Sequence, residues 1–341
     1  MGHRLNLEEI GRMAGVSRST VSRVVNGEPN VSSESAKRVN AAIAKTGYRP
    51  HAAARSLASN RTGVMGLVIP SAVETLFDDP YFGRLILGAT GATNALEATL
   101  ALFLFNQELD EHSIISQVVN PGLVDGVIVT ATRIGDPLFE QLCDANMPFV
   151  VVGRPDDERA LYSVDADNRG GGRIAAKHLA ARGRRRLGAI TPPSNTTAGV
   201  DRRIGFLEGL EEAGLELNGR IVEGNWTEAS GHEAMQRLLA DDIDGAFVGS
   251  DRMALGALQA IREADLRCPE DIALVSFDGL LPAGQSSPQL TSVTQPVNEL
   301  GQRAVRLLKS VIDGEQTTPE HVVFPTKLTI AESCGTAEPV Q

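Results

Sequence analysis

The stretch Gly15-Val16-Ser17-Arg18-Ser19-Thr20-Val21-Ser22-Arg23-Val24-Val25-Asn26-Gly27 decides how the start of the chain folds. Val21 and Val24 recur at helical spacing and turn to one face. Arg18, Ser19 and Ser22 therefore project from the opposite face, near the start of the helix. Ser17 is the N-cap, and Asn26-Gly27 ends the helix at about Val25. Working backward, Asn6-Leu7-Glu8-Glu9 spells a capping box, with Glu9 reaching back to Asn6. That helix runs to about Ala14, with Leu7, Ile10 and Ala14 on one face. Gly15 permits a tight turn, and Val16 plugs between the two helices. Working forward, Ser32 caps a third helix with Ala36, Val39 and Ile43 inside, stopped by Gly47 and Tyr48. So small a trihelical unit is marginally stable alone.

Charge says what this head meets. Residues 1–62 hold ten Lys/Arg and four Asp/Glu, a balance of +6, so a chain total of −11 leaves −17 for the rest. A basic head on an acidic body points to a negative partner met by the head alone. The second helix fits the major groove of B-DNA with its first residues toward base edges. Arg18 can donate two hydrogen bonds to guanine O6 and N7, while Ser19, Thr20 and Ser22 serve bases or phosphates. The bland alternative is a helical hairpin with an exposed polar face. Helix length, turn glycine and basic balance together favour DNA.

The 341 residues are 42% apolar and 4% aromatic, enough for two or three domains with aliphatic cores. No apolar run approaches the roughly 20 residues that span a bilayer. Met1 to Ile10 has no apolar leader stretch, and a cytoplasmic location is expected. Cys143, Cys268 and Cys334 form neither a disulfide framework nor a metal knuckle, and the six histidines show no ligand spacing. Gly170-Gly171-Gly172-Arg173 opens a helix without dinucleotide spacing, and no nucleophile elbow appears. No cofactor, metal or enzymatic activity is expected. Arg182-Gly183-Arg184-Arg185-Arg186 reads as a solvated helix end.

From Gly63 onward strands alternate with helices. Strands are expected at Val64 to Ile69, Leu100 to Phe105, Gly126 to Thr130 and Phe149 to Val152, then at Leu187 to Ile190, Arg220 to Glu223, Gly245 to Gly249 and Ala273 to Phe277. Helices are expected from Tyr81 to Leu96, Asp136 to Ala145, Asn168 to Arg182, Arg202 to Ala213, Glu228 to Ala240 and Asp251 to Ala264. The rhythm, run twice, predicts an α/β body of doubly wound parallel sheets. Ligands of such sheets lie beyond the carboxyl ends of the strands. Thr130, Ser250, Asp251 and Asp278 occupy such ends, Arg202 starts a helix, and Trp226 follows a strand. A carboxylate, a guanidinium and a flat aromatic suit a polyhydroxylated ligand. Asp251 as a plain helix N-cap and Trp226 as a core residue are the competing readings.

The opening stretch, and Gly47-Tyr48-Arg49-Pro50-His51-Ala52-Ala53-Ala54-Arg55-Ser56-Leu57, closely resemble the LacI/GalR family of bacterial transcription regulators. The likeness continues to about Ala331. It implies a helix-turn-helix domain over 1–48, a hinge helix and linker over 49–61, and an effector-binding and dimerisation core over 62–331. That core would have the periplasmic-binding-protein-like type I fold. One subdomain is expected from 62–164 plus 295–322, the other from 165–293 plus 323–331, leaving 332–341 as a tail. DNA contacts are expected from Leu7, Ser17, Arg18, Ser19, Thr20, Ser22, Arg23, Asn26, Asn30, Ser32, Tyr48, Ala54 and Leu57. Ala52 to Leu57 taken alone is a short alanine-rich linker. The resemblance makes it a hinge helix paired with its dimer mate in the minor groove, with Leu57 as the wedge. Positions matching Arg202, Trp226, Asp251, Asp278 and Gln295 line or border the effector site. Ser250 stands where the family often has Asn, and Asp79-Pro80-Tyr81-Phe82 resembles the first cleft loop, making Tyr81 and Phe82 wall residues. The implied protein is a homodimeric repressor of a near-palindromic operator, controlled by a small sugar or sugar derivative. A nucleobase or nucleoside corepressor is the alternative within that class; a soluble sugar-binding protein is the alternative outside it. The tail lacks apolar heptads, which argues against a coiled-coil tetramer.

Overall fold

A computed structural model describes residues 5–25, 31–48, 61–69, 73–104, 118, 122–130, 133–216 and 220–335. The hinge segment and Asn26, Asn30, Ala54 and Leu57 lie outside the described residues. Contacts divide the chain into two units, the smaller within Met1–Gly63 and Pro121–Asp125.

The smaller unit holds α1 (Leu7–Ala14), α2 (Arg18–Val25) and α3 (Ser33–Thr46). Both halves of the capping box form: Asn6 Oδ1 accepts the Glu9 amide at 2.9 Å, and Glu9 Oε2 accepts the Asn6 amide at 2.8 Å. Gly15 and Gly47 end α1 and α3 in the left-handed region, at φ 63° each. Ile10, Ala14, Val21, Val39 and Ala42 form the core. Ala42 is buried where the sequence pointed to Ala36, which is only half-buried. At the unit's end, the Thr62 amide and hydroxyl and the Gly63 amide all donate to Asp125.

The larger unit contains two six-stranded sheets. The first comprises β1 (Val64–Ile69), β2 (Thr99–Leu104), β3 (Gly126–Thr130), β4 (Phe149–Val152), β5 (Tyr162–Ala166) and β11 (Glu320–Phe324), in the order β11-β5-β4-β3-β1-β2 and parallel throughout. Its helices are α4 (Val73–Asp78), α5 (Pro80–Ala95), α6 (Leu138–Asp144) and α11 (Val297–Ile312). The second comprises β6 (Leu187–Thr191), β7 (Ile221–Glu223), β8 (Gly245–Val248), β9 (Ala273–Asp278), β10 (Thr291–Thr294) and β12 (Lys327–Thr329), in the order β12-β10-β9-β8-β6-β7. Only β12 runs antiparallel. Its helices are α7 (Asn168–Ala181), α8 (Thr197–Glu212), α9 (Glu228–Leu239) and α10 (Asp251–Glu263).

The chain crosses between lobes after Ala166, after Thr294 and after Phe324, because β5 and β11 pair to their ends in the first sheet. The crossings thus lie up to two residues beyond the limits read from sequence. The expected tail also begins later. Glu332–Cys334 is a 3-10 turn in which Ser333 Oγ donates to the Leu274 carbonyl at 2.8 Å and accepts the Thr291 amide at 2.8 Å. The arginine cluster is bound into the lobe. Arg184 donates to the Pro269 and Glu270 carbonyls, and Arg186 pairs with Asp242 and Asp244.

Candidate functional site

In the head, α2 presents its amino end as the sequence requires. Ser17 Oγ accepts the Thr20 amide at 3.2 Å and lies 2.8 Å from Ser19 Oγ and 2.9 Å from Thr20 Oγ1. Arg18, Ser19 and Arg23 are exposed, Thr20 and Ser22 half-buried. Arg18 Nη1 stands 3.9 Å from Glu8 Oε1 on α1, both side chains well exposed. Ser32 caps α3 through the Ser35 amide. Leu7 and Tyr48 are half-buried and pack against the core, so each has one face left for a partner.

The larger unit's site is organised around Arg202. Thr196 Oγ1 accepts the Gly199 amide, so α8 starts at Thr197 and Arg202 lies inside the helix, not at its start as expected. Glycines set its depth. A Cβ at Gly172 would come within 2.3 Å of the Arg202 carbonyl, and one at Gly205 within 1.8 Å of the Arg169 carbonyl. The glycine-rich opening of α7 therefore serves backbone-to-backbone packing of α7 on α8. Arg202 is 4% exposed. Its Nε donates to Asn168 Oδ1 at 2.8 Å, and Nη1 donates to the Gly249 carbonyl at 2.6 Å and Asp278 Oδ1 at 3.0 Å. Its guanidinium carbon is 3.7 Å from the Phe277 ring centre and 5.5 Å from that of Trp226. Such a cation, stacked and hydrogen-bonded, is fixed before any ligand arrives.

Gln295 Nε2 also donates to Asp278 Oδ1, at 2.7 Å. Burial pushes the Asp278 carboxyl up to about 7, Arg202 opposing and Asp251 and Asp79 adding to the rise. Asp278 and Trp226 adopt φ of 104° and 72°, uncommon for residues with a Cβ. Backbone strain of this kind concentrates at ligand clamps.

The other expected residues divide by what they touch. Ser250 is the α10 N-cap, its Oγ accepting the Met253 amide at 3.2 Å. The cap is thus Ser250 and not Asp251. Asp251 Oδ1 accepts from Ser276 at 2.6 Å and Ser292 at 2.9 Å, and Oδ2 accepts the Leu280 amide at 2.7 Å. Both carboxylate oxygens are already engaged within the chain. Phe82 is buried in the first lobe's core, and Tyr81 stands edge-on against it at 5.4 Å. The Tyr81 hydroxyl faces Thr130, and burial raises its pKa. Thr130 Oγ1 is buried without a hydrogen bond of ordinary geometry, a spare polar group at the end of β3.

Sequence reasoning missed Asp165 and Asn168. Asp165 is the penultimate residue of β5, and its Oδ1 accepts from the Ala166 amide at 2.8 Å and Asn168 Nδ2 at 3.1 Å. Burial pushes it up to about 6, with Asp201 adding to the rise. Its position at a strand's carboxyl end was the available signal, but β5 alternates polar and apolar and reads weakly. A continuous chain of hydrogen bonds thus links Asp165, Asn168, Arg202, Asp278 and Gln295, from the first crossing to the second. On another side the lobes are clasped. Arg154 grips Asp201 at 2.7 and 2.9 Å, Thr197 Oγ1 donates to the Arg154 carbonyl at 2.7 Å, and the Ile134 amide donates to the Asn195 carbonyl at 2.8 Å. A cavity of about 420 Å³ opens at the crossings, lined in part by Leu280, Gln295, Val297, Phe324 and Lys327. Among the described residues no His/Cys/Asp/Glu group has metal-holding geometry, and no helix is long and apolar enough to cross a membrane.

Comparison with known proteins matches residues 6–51 to the bacterial regulatory proteins, lacI family, and residues 176–334 to the periplasmic binding protein-like domain. The chain is 38% identical to the HTH-type transcriptional regulator CelR of Thermobifida fusca, over 97% of this chain and 98% of that protein. A solved CelR–cellobiose complex is 36% identical, with a TM-score of 0.77, covering 97% of this chain and 100% of the other. The lac repressor dimer bound to operator and the anti-inducer ONPF shares the fold at a TM-score of 0.82 and 24% identity, covering 97% of this chain and 99% of that one.

Proposed function

Because the chain belongs to the LacI/GalR family of bacterial transcriptional regulators, we propose that it represses its operator until a small saccharide enters the cleft around Arg202. It is a ligand-responsive DNA-binding regulator that acts as a homodimer. Each head reads one operator half-site. Phosphate contacts provide most affinity, and Arg18 and Ser19 provide base preference. In the core, Arg202 offers a donor held between Phe277 and Asp278, Trp226 covers an apolar ring face, and Asp278 and Gln295 complete a polar floor. That fixed guanidinium, with an aromatic on the same side, is the observation that carries the saccharide reading. The CelR relative solved with cellobiose supports it. The ligand bridges the lobes, and the hydrogen-bonded chain from Asp165 to Gln295 couples its presence to the crossings. A coupling of only ~1–3 kcal/mol changes operator affinity some 5- to 150-fold.

The test is fluorescence anisotropy with the purified dimer and labelled DNA from upstream of its own gene, titrated with a saccharide panel that includes cellobiose. Release of the fragment by one neutral saccharide at low millimolar concentration or below is expected. Undisturbed binding across the panel, with release or tightening by a purine, would replace the saccharide reading with the nucleobase one.

A further inference from the structure

Resting on operator binding alone and not on the identity of the effector, we infer that Asp125 is a positioning residue for DNA recognition: it staples the chain that leaves the head to the base of β3, and so fixes the point from which each head is held out. The first observation is the staple itself. Asp125 Oδ1 accepts the Thr62 amide at 2.6 Å and the Thr62 hydroxyl at 2.9 Å, and Oδ2 accepts the Gly63 amide at 2.8 Å. One carboxylate thus spends both oxygens on two successive residues, 63 and 62 positions away in sequence. Bonds to an ionised acceptor are about twice as strong as neutral ones. Successive amides converge on one anion where the backbone turns sharply, and Gly63 supplies that turn at φ 70°. A Cβ at Gly63 would meet nothing within 4 Å, so the position needs glycine for its conformation and not for want of space.

The second observation is where the staple lies. Gly63 runs directly into β1, and Asp125 directly into β3. Contacts group Gly63 and Asp125 with the head, but Val64 and Gly126 with the core. The carboxylate therefore ties together two of the peptide bonds at which the chain passes from one unit to the other. The third observation is the stiffness of what it is tied to. β1 and β3 are parallel neighbours, paired from Met65↔Gly126 to Val68↔Val129, and every residue of β3 is buried. Val124, on the other side of Asp125, is 5% exposed. The acceptor is thus held from both sides, while the donors belong to a segment with no strand or helix of its own. With the staple open, Thr62 and Gly63 are added to the free linker of each subunit. The two heads of a dimer then meet their half-sites at a lower effective concentration.

The experiment is fluorescence anisotropy of the full-length dimer on the DNA upstream of its own gene and on unrelated DNA of equal length, with hydrogen exchange followed at the Thr62 and Gly63 amides. Asp125→Ala is expected to bind the operator fragment about tenfold more weakly, to bind unrelated DNA as the parent does, and to exchange both amides at least ~10-fold faster. Asp125→Asn keeps the oxygen that serves Thr62 and should recover most of the operator affinity. Gly63→Ala leaves the carboxylate intact but strains the turn, and should reach a similar loss by a separate route. Operator binding by Asp125→Ala equal to the parent's overturns the inference. So does a loss shared equally by unrelated DNA, because a head that has lost its fold would give it. Thr62→Val removes only the hydroxyl bond and should weaken operator binding about threefold. Parental binding by that variant, should Asp125→Ala not fold, overturns the inference as well.

Discussion

Asp251 is the residue whose replacement separates architecture from recognition most sharply. It is 4% exposed and accepts three hydrogen bonds, from Ser276, Ser292 and the Leu280 amide. These tie the start of α10 to β9, β10 and the loop after β9. Asp251→Ala leaves two hydroxyls and an amide without their acceptor. Each charge-assisted bond is worth about 1.5–3 kcal/mol, or roughly 5–9 kcal/mol for three. Against this, burial raises the Asp251 pKa, which means that the ionised carboxylate is itself costly to hold, and a neutral residue relieves that cost. The net loss is about 3–5 kcal/mol, the range seen when one partner of a buried charged network is removed. At about 2–4 °C per kcal/mol, the core should melt roughly 10 °C lower. Asp251→Asn keeps one oxygen for the serines but turns an NH2 group toward the Leu280 amide, and should lose about half as much. Trp226 is the only tryptophan and stands in the core unit, so its fluorescence follows this transition alone. An alanine variant that melts within about 1 kcal/mol of the parent, yet ignores every saccharide, would make Asp251 a ligand contact and refute the argument.

Four further outcomes are expected. Arg202→Met should abolish the response to saccharide in the anisotropy assay while operator binding persists; retained induction would show that the guanidinium is not the anchor. Asp165 holds its proton more tightly folded, at about 6 against 3.8, so its contribution to stability is full below 3.8 and is lost as pH rises through 6. Asp165→Asn should therefore gain on the parent by up to about 3 kcal/mol between pH 4 and 7 in urea denaturation, and a pH-independent difference would rule this out. Gly205→Ala should cost about 3 kcal/mol or more and blunt induction, since its Cβ must displace the Arg169 carbonyl. Unaltered melting would mean that α7 and α8 are not held at that distance. Arg18→Ala should relax preference at one operator base by ~1–3 kcal/mol, read by binding to single-base operator variants.

The head was legible because its signals are local. Asn6 and Glu9, Ser17, Gly15 and Gly47 each act within a few residues of themselves, and the structure has them as the sequence reads. Long apolar strands such as Val64–Ile69 were equally plain. β5 and the edge strands β11 and β12 were not marked out, because they are short or half-exposed and owe their form to partners far along the chain. The start of α8 was misplaced for a related reason: Thr196 as a cap competes in sequence with a loop rich in proline and threonine. In the cleft, Asp278 and Trp226 announced themselves by position after strands, but Asp165 and Asn168 did not. Their importance comes from facing Arg202, which no sequence spacing reveals. The Arg184 to Arg186 cluster shows the converse: a conspicuous motif whose partners, Asp242, Asp244 and the Pro269 carbonyl, make it architectural.

The three crossings also dictate an order of events during synthesis. Five strands of the second sheet, β6 to β10, lie in one uninterrupted stretch from Leu187 to Thr294, and only β12 arrives later. The first sheet has no such luxury. Its core takes Val297, Leu300, Ala304, Val305, Leu307 and Leu308 from α11, and β5 waits for β11 at Glu320–Phe324. Domains usually form from the amino end as the ribosome delivers them. Here the lobe translated first waits for β11, only a few residues before β12 closes the second sheet, leaving the edge of β5 and the socket for α11 bare until nearly the entire polypeptide has emerged.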